Sequence, residues 1–131
     1  MKNIHVAAAV IVKDNKVFST QRGYGEFKDL WEFPGGKIND GEKPEETVVR
    51  EIKEELDTDI KVLKYITTIE HDYESFHLIM DLYLCEVVKG RLELKEHESA
   101  KWLSKEEIDS VEWLEADLKA LDNIKSLIVW V

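Results

Sequence analysis

Hydrophobic and polar positions divide the chain into a few distinct runs. Ile4 to Val12 is almost continuously apolar and rich in β-branched residues, the pattern of a strand covered on both faces. Lys13-Asp14-Asn15-Lys16 interrupts it as a hairpin turn, and Val17 to Gln21 returns alongside. Between Pro44 and Leu56 the period lengthens: Val48, Val49, Ile52 and Leu56 share one arc of a helix and charged residues fill the rest. Pro44 suits the first helical turn, where its missing N–H is no loss, and Glu45 and Glu46 suit the positive end of the dipole. Ile60 to Ile69 and Phe76 to Val88 read as two long strands, with His71-Asp72-Tyr73-Glu74-Ser75 as the turn. In the second strand Leu78, Met80, Leu82 and Leu84 alternate with Ile79, Asp81, Tyr83 and Cys85, giving one strongly apolar face. Gly90 ends this hairpin, and Arg91-Leu92-Glu93-Leu94 suggests a short edge strand. Ser104-Lys105-Glu106-Glu107 has capping-box spacing and predicts a short helix. A final helix is expected from near Glu115, with Leu118, Leu121 and Ile124 inward.

These runs fit one domain spanning residues 1–131, large enough to bury a core without covalent staples. The formal charge of −10 argues against duplex DNA or an anionic membrane as a partner. It leaves room for an anionic small molecule, because a bound cation changes the local sign. Cys85 is the only cysteine, which excludes an internal disulfide and makes a reducing cytoplasm the simplest location. Within an apolar strand it reads as a core residue. The N-terminus lacks a signal-peptide pattern, and no apolar run approaches membrane-spanning length. Four scattered histidines show no zinc spacing.

The candidate chemistry lies on the first helix. At about 100° per residue, Glu51, Glu54 and Glu55 fall within roughly a quarter of its circumference. Like charges at spacings of three and four repel, and a hard divalent cation held by oxygen ligands would reverse that penalty. Just before the helix, Gly35-Gly36 and Asn39-Asp40-Gly41 mark a backbone expected to turn sharply through positive φ. A glycine loop leading into an acidic helix can offer carbonyls and carboxylates to one metal. A solvated acidic face is the plainer alternative for a bare glutamate cluster.

The spacing decides between them. Gly36, five residues, Glu42, seven residues, then Arg50-Glu51-Ile52-Lys53-Glu54-Glu55 resembles the signature of the Nudix hydrolases, G-x5-E-x7-R-E-U-x-E-E-x-G-U, where U is a bulky aliphatic residue. Every charged position of that box is present. Asp57 stands in place of its glycine and Thr58 in place of its last aliphatic residue. Trp31-Glu32-Phe33-Pro34-Gly35-Gly36-Lys37 resembles the segment ahead of the box in the MutT-type branch. The resemblance covers nearly the whole chain and is strongest from Trp31 to Leu56. It implies an α/β (α+β) Nudix fold, a mixed β-sheet between helices.

It also implies chemistry. Two or more Mg²⁺ ions, with Mn²⁺ as a substitute, would be held by Glu51, Glu54, Glu55, Glu96 and the Gly36 carbonyl. Glu96 lies six residues before Trp102 in a loop that reaches the metal site in MutT-like relatives, with Glu98 as its nearest competitor. Glu54 and Glu96 are both candidates for the general base. Arg50 reads as an orienting residue of the same catalytic set, paired to Glu42. For the substrate, Arg22 could meet a phosphate or a base, Lys37 a phosphate, and Phe33 would supply a stacking surface. Asp117 corresponds to the Asn or Asp that hydrogen-bonds the base in MutT-like relatives, and as a carboxylate it would accept from an amino group. The expected partner is a nucleoside triphosphate, (d)CTP or 8-oxo-dGTP, attacked at the β-phosphorus. No nucleic-acid polymer or membrane is expected, and the state is monomer or homodimer. Other nucleoside diphosphate derivatives, such as ADP-ribose or a dinucleoside polyphosphate, are the alternative substrates. A non-catalytic nucleotide-binding module is disfavoured, because a dead site has no physical need for clustered glutamates. The terminal run Leu127-Ile128-Val129-Trp130-Val131 could seal the core or form a dimer contact.

Overall fold

Strand β1 (Lys2–Lys13) is the axis of the molecule, and its alternation explains why it is apolar throughout. Ala7, Ala9 and Ile11 face one core with Phe18, Val48, Ile52, Leu56 and Cys85. Ala8 and Val10 face a second core with Leu82, Ala116, Ala120, Leu121 and Ile124. The computed structural model describes residues 1–93 and 97–127, with the backbone alone at 97 and 98.

The remaining elements are β2 (Lys16–Arg22), β3 (Trp31–Glu32), β4 (Gly35–Lys37), α1 (Pro44–Leu56), β5 (Asp59–Asp72), β6 (Phe76–Lys89), β7 (His97–Leu103) and α2 (Glu115–Leu127). The sheet order is β3-β2-β1-β6-β5, with β4 on β1 and β7 on β2. Among the described strands β1 and β6 pair in parallel, in register from Lys2↔Phe76 to Ile11↔Cys85. The other pairs are antiparallel. This is the expected mixed sheet between helices, α1 on one face and α2 on the other.

One edge of β1 is divided, and that division builds the site. β2 pairs beside Val12 and Lys13, whereas β4 pairs beside Val6, Ala7 and Ala8. The two glycines of β4 are therefore in a strand, not in a positive-φ turn as the sequence suggested; positive φ falls at Gly41 instead. What requires glycine here is close approach. A Cβ at Gly35 would run into the Ala7 and Ala8 backbone, and one at Gly36 into the Glu51 carboxylate.

Other expectations fail for local reasons. The edge strand expected over 91–94 is absent at 91–93, because their amides are already committed. Leu92 N–H donates to Thr58 Oγ1 at 2.7 Å, and Glu93 N–H to the Leu56 carbonyl at 2.8 Å. The capping bond from Ser104 N–H to Glu107 Oε1 forms at 3.1 Å, yet only turns follow it, not a helix. β5 continues through His71 and Asp72, which shortens the turn to residues 73–75. On α2 it is Ala116, Asp117 and Ala120 that join Leu121 and Ile124 inside, while Leu118 is exposed. Val49 on α1 is likewise exposed rather than part of the buried arc. Residues 128–131 of the terminal run lie outside the described residues.

The two departures at the end of the box become a closed cap. Asp57 takes the left-handed conformation, φ 48° and ψ 44°, that the usual glycine would adopt. Thr58 is fully buried; its hydroxyl donates to the Leu56 carbonyl at 2.9 Å and accepts the Leu92 N–H. A threonine methyl and hydroxyl thus replace the aliphatic side chain while satisfying two backbone groups.

Candidate active site

Helix α1 begins at Pro44, where the preceding Lys43 N–H donates to Glu46 Oε1 at 2.9 Å. Its buried residues, Thr47, Val48, Ile52 and Leu56, fix the rotation of the helix on the sheet. That rotation lays Glu51 over Gly36 and leaves Glu54 exposed at the rim. Glu55 lines the adjoining cavity together with Gly36 and Lys37.

Arg50 organises these carboxylates. Its Nε and Nη2 donate to Glu42 Oε2 and Oε1 at 2.8 and 3.0 Å, a bidentate pair. Nη1 reaches Glu51 Oε1 at 2.8 Å and Glu54 Oε2 at 3.2 Å, and Nη2 also holds the Lys37 carbonyl at 3.0 Å. One guanidinium therefore ties the β4 strand, the loop after it and α1 together. Glu42 also accepts from Thr47 Oγ1 at 2.6 Å and Asn39 N–H at 3.2 Å. The Arg50 guanidinium, followed by the Thr47 hydroxyl, holds the Glu42 carboxyl down to about 2. Glu42 in turn pushes Arg50 above its already high value. Thr47, not singled out in the sequence, is the further support that an i+5 spacing from Glu42 conceals.

The donor set suits a hard cation: it is all oxygen, anionic, and held by a cation that does not itself compete for metal. Gly36 has no Cβ at the place where the Glu51 carboxylate lies, so backbone and carboxylate share one small region. Among the described residues no three His, Cys, Asp or Glu side chains converge on one point. Glu51 and Glu54 are instead both directed to Arg50. Glu96 lies outside the described residues.

A cavity of about 470 Å³ opens beside this stretch and runs from Glu55 on α1 to Asp117 on α2. It brings together all four sequence-predicted substrate residues: Arg22, Phe33, Lys37 and Asp117. Their surroundings differ from expectation in two respects. Phe33 is 2% exposed and lies stacked on Trp113, centroids 4.6 Å apart, so one face of its ring is already covered. Asp117 is buried, and Phe33 N–H donates to its Oδ2 at 2.9 Å. Burial, followed by the charge of Glu32, pushes its carboxyl well above the usual range. It was expected as a carboxylate acceptor; its environment favours the neutral acid, which can donate as well as accept. Arg22 Nη1 sits 3.2 Å from Glu32 Oε1. Glu32 also lines the cavity, and nothing but its place between Trp31 and Phe33 marked it beforehand.

A family model described as NUDIX domain matches residues 3–124. The chain belongs to the Nudix family. This Nudix hydrolase is 34% identical over 130 residues to the CTP pyrophosphohydrolase of Escherichia coli (strain K12), covering 97% of the chain and 95% of that enzyme. It is 38% identical over 93 residues to the 8-oxo-dGTP diphosphatase of Proteus vulgaris, covering 70% of the chain and 83% of that enzyme. Its fold matches the crystal structure of the MutT NUDIX hydrolase from Burkholderia pseudomallei with a TM-score of 0.86, 23% identity, and coverage of 95% and 99%. Among the described residues of this Nudix hydrolase, no helix is long and apolar enough to cross a membrane.

Proposed function

We propose that this Nudix hydrolase is a Mg²⁺-dependent nucleoside triphosphate pyrophosphohydrolase of the nucleotide-pool sanitising type, acting in the cytoplasm on (d)CTP or 8-oxo-dGTP. The observation that carries the reading is a cavity of about 470 Å³ with Glu55 of the acidic helix and Gly36 at one part of its wall and Asp117 at another. A triphosphate lying from one to the other would present its phosphates to the acidic helix and its base to the buried acid. Similarity to relatives named for CTP and for 8-oxo-dGTP supports the same substrate class.

Glu51, Glu54, Glu55, Glu96 and the Gly36 carbonyl are the residues that would hold Mg²⁺. When bound there, the metal supplies charge neutralisation at the phosphates and a lower pKa for a coordinated water. The chain's own contribution is positioning. Arg50 keeps Glu51 and Glu54 beside β4, and Glu42 keeps Arg50 in place. Glu54, exposed at the rim and held by one long bond, is free to accept a proton from the attacking water, and Glu96 is the other candidate for that role. Arg22 and Lys37, at the cavity wall, offset phosphate charge.

The test is pyrophosphate release from a panel of canonical and oxidised triphosphates. Preference for CTP, dCTP or 8-oxo-dGTP is expected. No release from any triphosphate, with turnover of ADP-ribose or a dinucleoside polyphosphate, would overturn the substrate assignment.

A further inference from the structure

We propose that Tyr73 is a specificity-determining residue, whose hydroxyl donates to a carbonyl oxygen on the substrate base while Asp117 engages the neighbouring N–H or amino group. The inference rests on the triphosphate reading above.

Tyr73 follows β5 directly and lines the same cavity as Asp117. Three rings from three stretches of chain fix its plane. His71 meets it edge-on with centroids 4.5 Å apart, Phe27 from the β2–β3 loop lies at 5.0 Å, and Phe76 from β6 at 5.1 Å. The hydroxyl is fixed too, since it accepts the Ala116 N–H at 3.1 Å, in the first turn of α2 and one residue before Asp117. His71 Nε2, 2.6 Å from Glu115 Oε2, holds the preceding residue of the same turn.

A phenol both accepts and donates. The bond from Ala116 occupies a lone pair and leaves the O–H, and among the described residues no acceptor is recorded for that O–H. If Tyr73 served packing alone, phenylalanine would serve as well. Instead a polar atom of a cavity-lining residue is anchored to the helix end that carries the buried acid. The donor thus placed distinguishes bases by chemistry. Guanine, 8-oxoguanine, cytosine and uracil carry ring carbonyls; adenine carries none.

The test is Tyr73→Phe, which keeps the ring and removes the O–H. kcat/KM is measured for dCTP, CTP and 8-oxo-dGTP, and dATP is followed as a competitive inhibitor, with a thermal melt of each protein. A loss of about tenfold on the preferred carbonyl-bearing substrates, mostly in KM, is expected, with dATP inhibition changed by less than about twofold. An equal loss for dATP would show that the hydroxyl only anchors α2, and unchanged kcat/KM for every substrate would show no role; either result overturns the inference. A wild-type protein inactive on all triphosphates would overturn the triphosphate reading, and this inference with it, before any variant is compared.

Discussion

Arg50 and Glu42 are joined by two hydrogen bonds, of 2.8 and 3.0 Å, between a fork of donors and a pair of acceptors. The same guanidinium reaches Glu51, Glu54 and the Lys37 carbonyl, so the pair fixes where the acidic face of α1 meets β4. A lysine could keep the charge but not the fork. Arg50→Lys should therefore lower kcat/KM by about 10- to 100-fold and raise the Mg²⁺ concentration needed for half-maximal rate. Steady-state rates across a Mg²⁺ titration check this, and an unchanged midpoint would show that Arg50 does not orient the ligands.

Gly36 gives a sharper steric prediction. A Cβ there would lie 2.6 Å from the Glu51 Oε1 and Oε2 positions, too close for any side chain, so Gly36→Ala must displace the carboxylate. A shift of about 1 Å at a reacting centre can cost on the order of 100-fold in rate. We expect a folded protein by circular dichroism with at least that loss. A rate near wild type would mean that Glu51 is not held against the backbone during turnover.

Much of this was legible beforehand, and the misses share a cause. The box residues could be placed on one helix because helical spacing demands fixed intervals. β1 could be read because a strand covered on both faces is apolar throughout, and β6 because its positions alternate about one strongly apolar face. Gly35 and Gly36 looked like turn residues because their real constraint, the closeness of Ala7 and Glu51, arises only when distant segments pair. Residues 91–93 looked like a strand because nothing local shows that Thr58 and Leu56 claim the Leu92 and Glu93 amides. Asp117 was singled out by its position, but the upward shift of its carboxyl follows from burial and then from the charge of Glu32. Tyr73 sat in what read as a polar turn, and two of its partners, Phe27 and Ala116, come from distant stretches of the chain.

Asp117 links stability to pH. Its carboxyl is raised above the ordinary 3.8, so its contribution to stability is fully present below that value. It is lost as pH rises through the folded-state value. Asp117→Asn should remove this dependence while keeping an oxygen for the Phe33 N–H. The variant is expected to melt higher than wild type at pH 8 and to lose that advantage at pH 4. Parallel melts at the two values decide it, and an equal difference at both would contradict the neutral assignment.

Glu42 behaves in the opposite sense. Its carboxyl is held at about 2 against an ordinary 4.5, so the stabilisation is present above 4.5 and lost as pH falls toward 2. Glu42→Gln should be less stable than wild type at pH 6, and the gap should close by pH 2. Chemical denaturation at both values measures it; a gap that persists at pH 2 would show that the carboxylate charge is not its source.

The box cap offers a test of stability separate from activity. Asp57 holds φ 48°, where a residue other than glycine is strained by roughly 1 kcal/mol. Asp57→Gly should raise the melting temperature with kcat unchanged. Thr58→Val should lower stability by about 1–3 kcal/mol, because the buried Leu92 N–H loses its acceptor.

The proposed reaction is hydrolysis of a nucleoside triphosphate between its α- and β-phosphates by a divalent metal held on the α1 glutamates. The most direct test is hydrolysis of CTP and 8-oxo-dGTP in ¹⁸O-labelled water, with Mg²⁺ and with EDTA, by wild type and Glu54→Gln. Nucleoside monophosphate and labelled pyrophosphate are expected, formed only with metal and slowed strongly in the variant. Release of inorganic phosphate and a diphosphate, or a rate indifferent to both EDTA and Glu54→Gln, would contradict it.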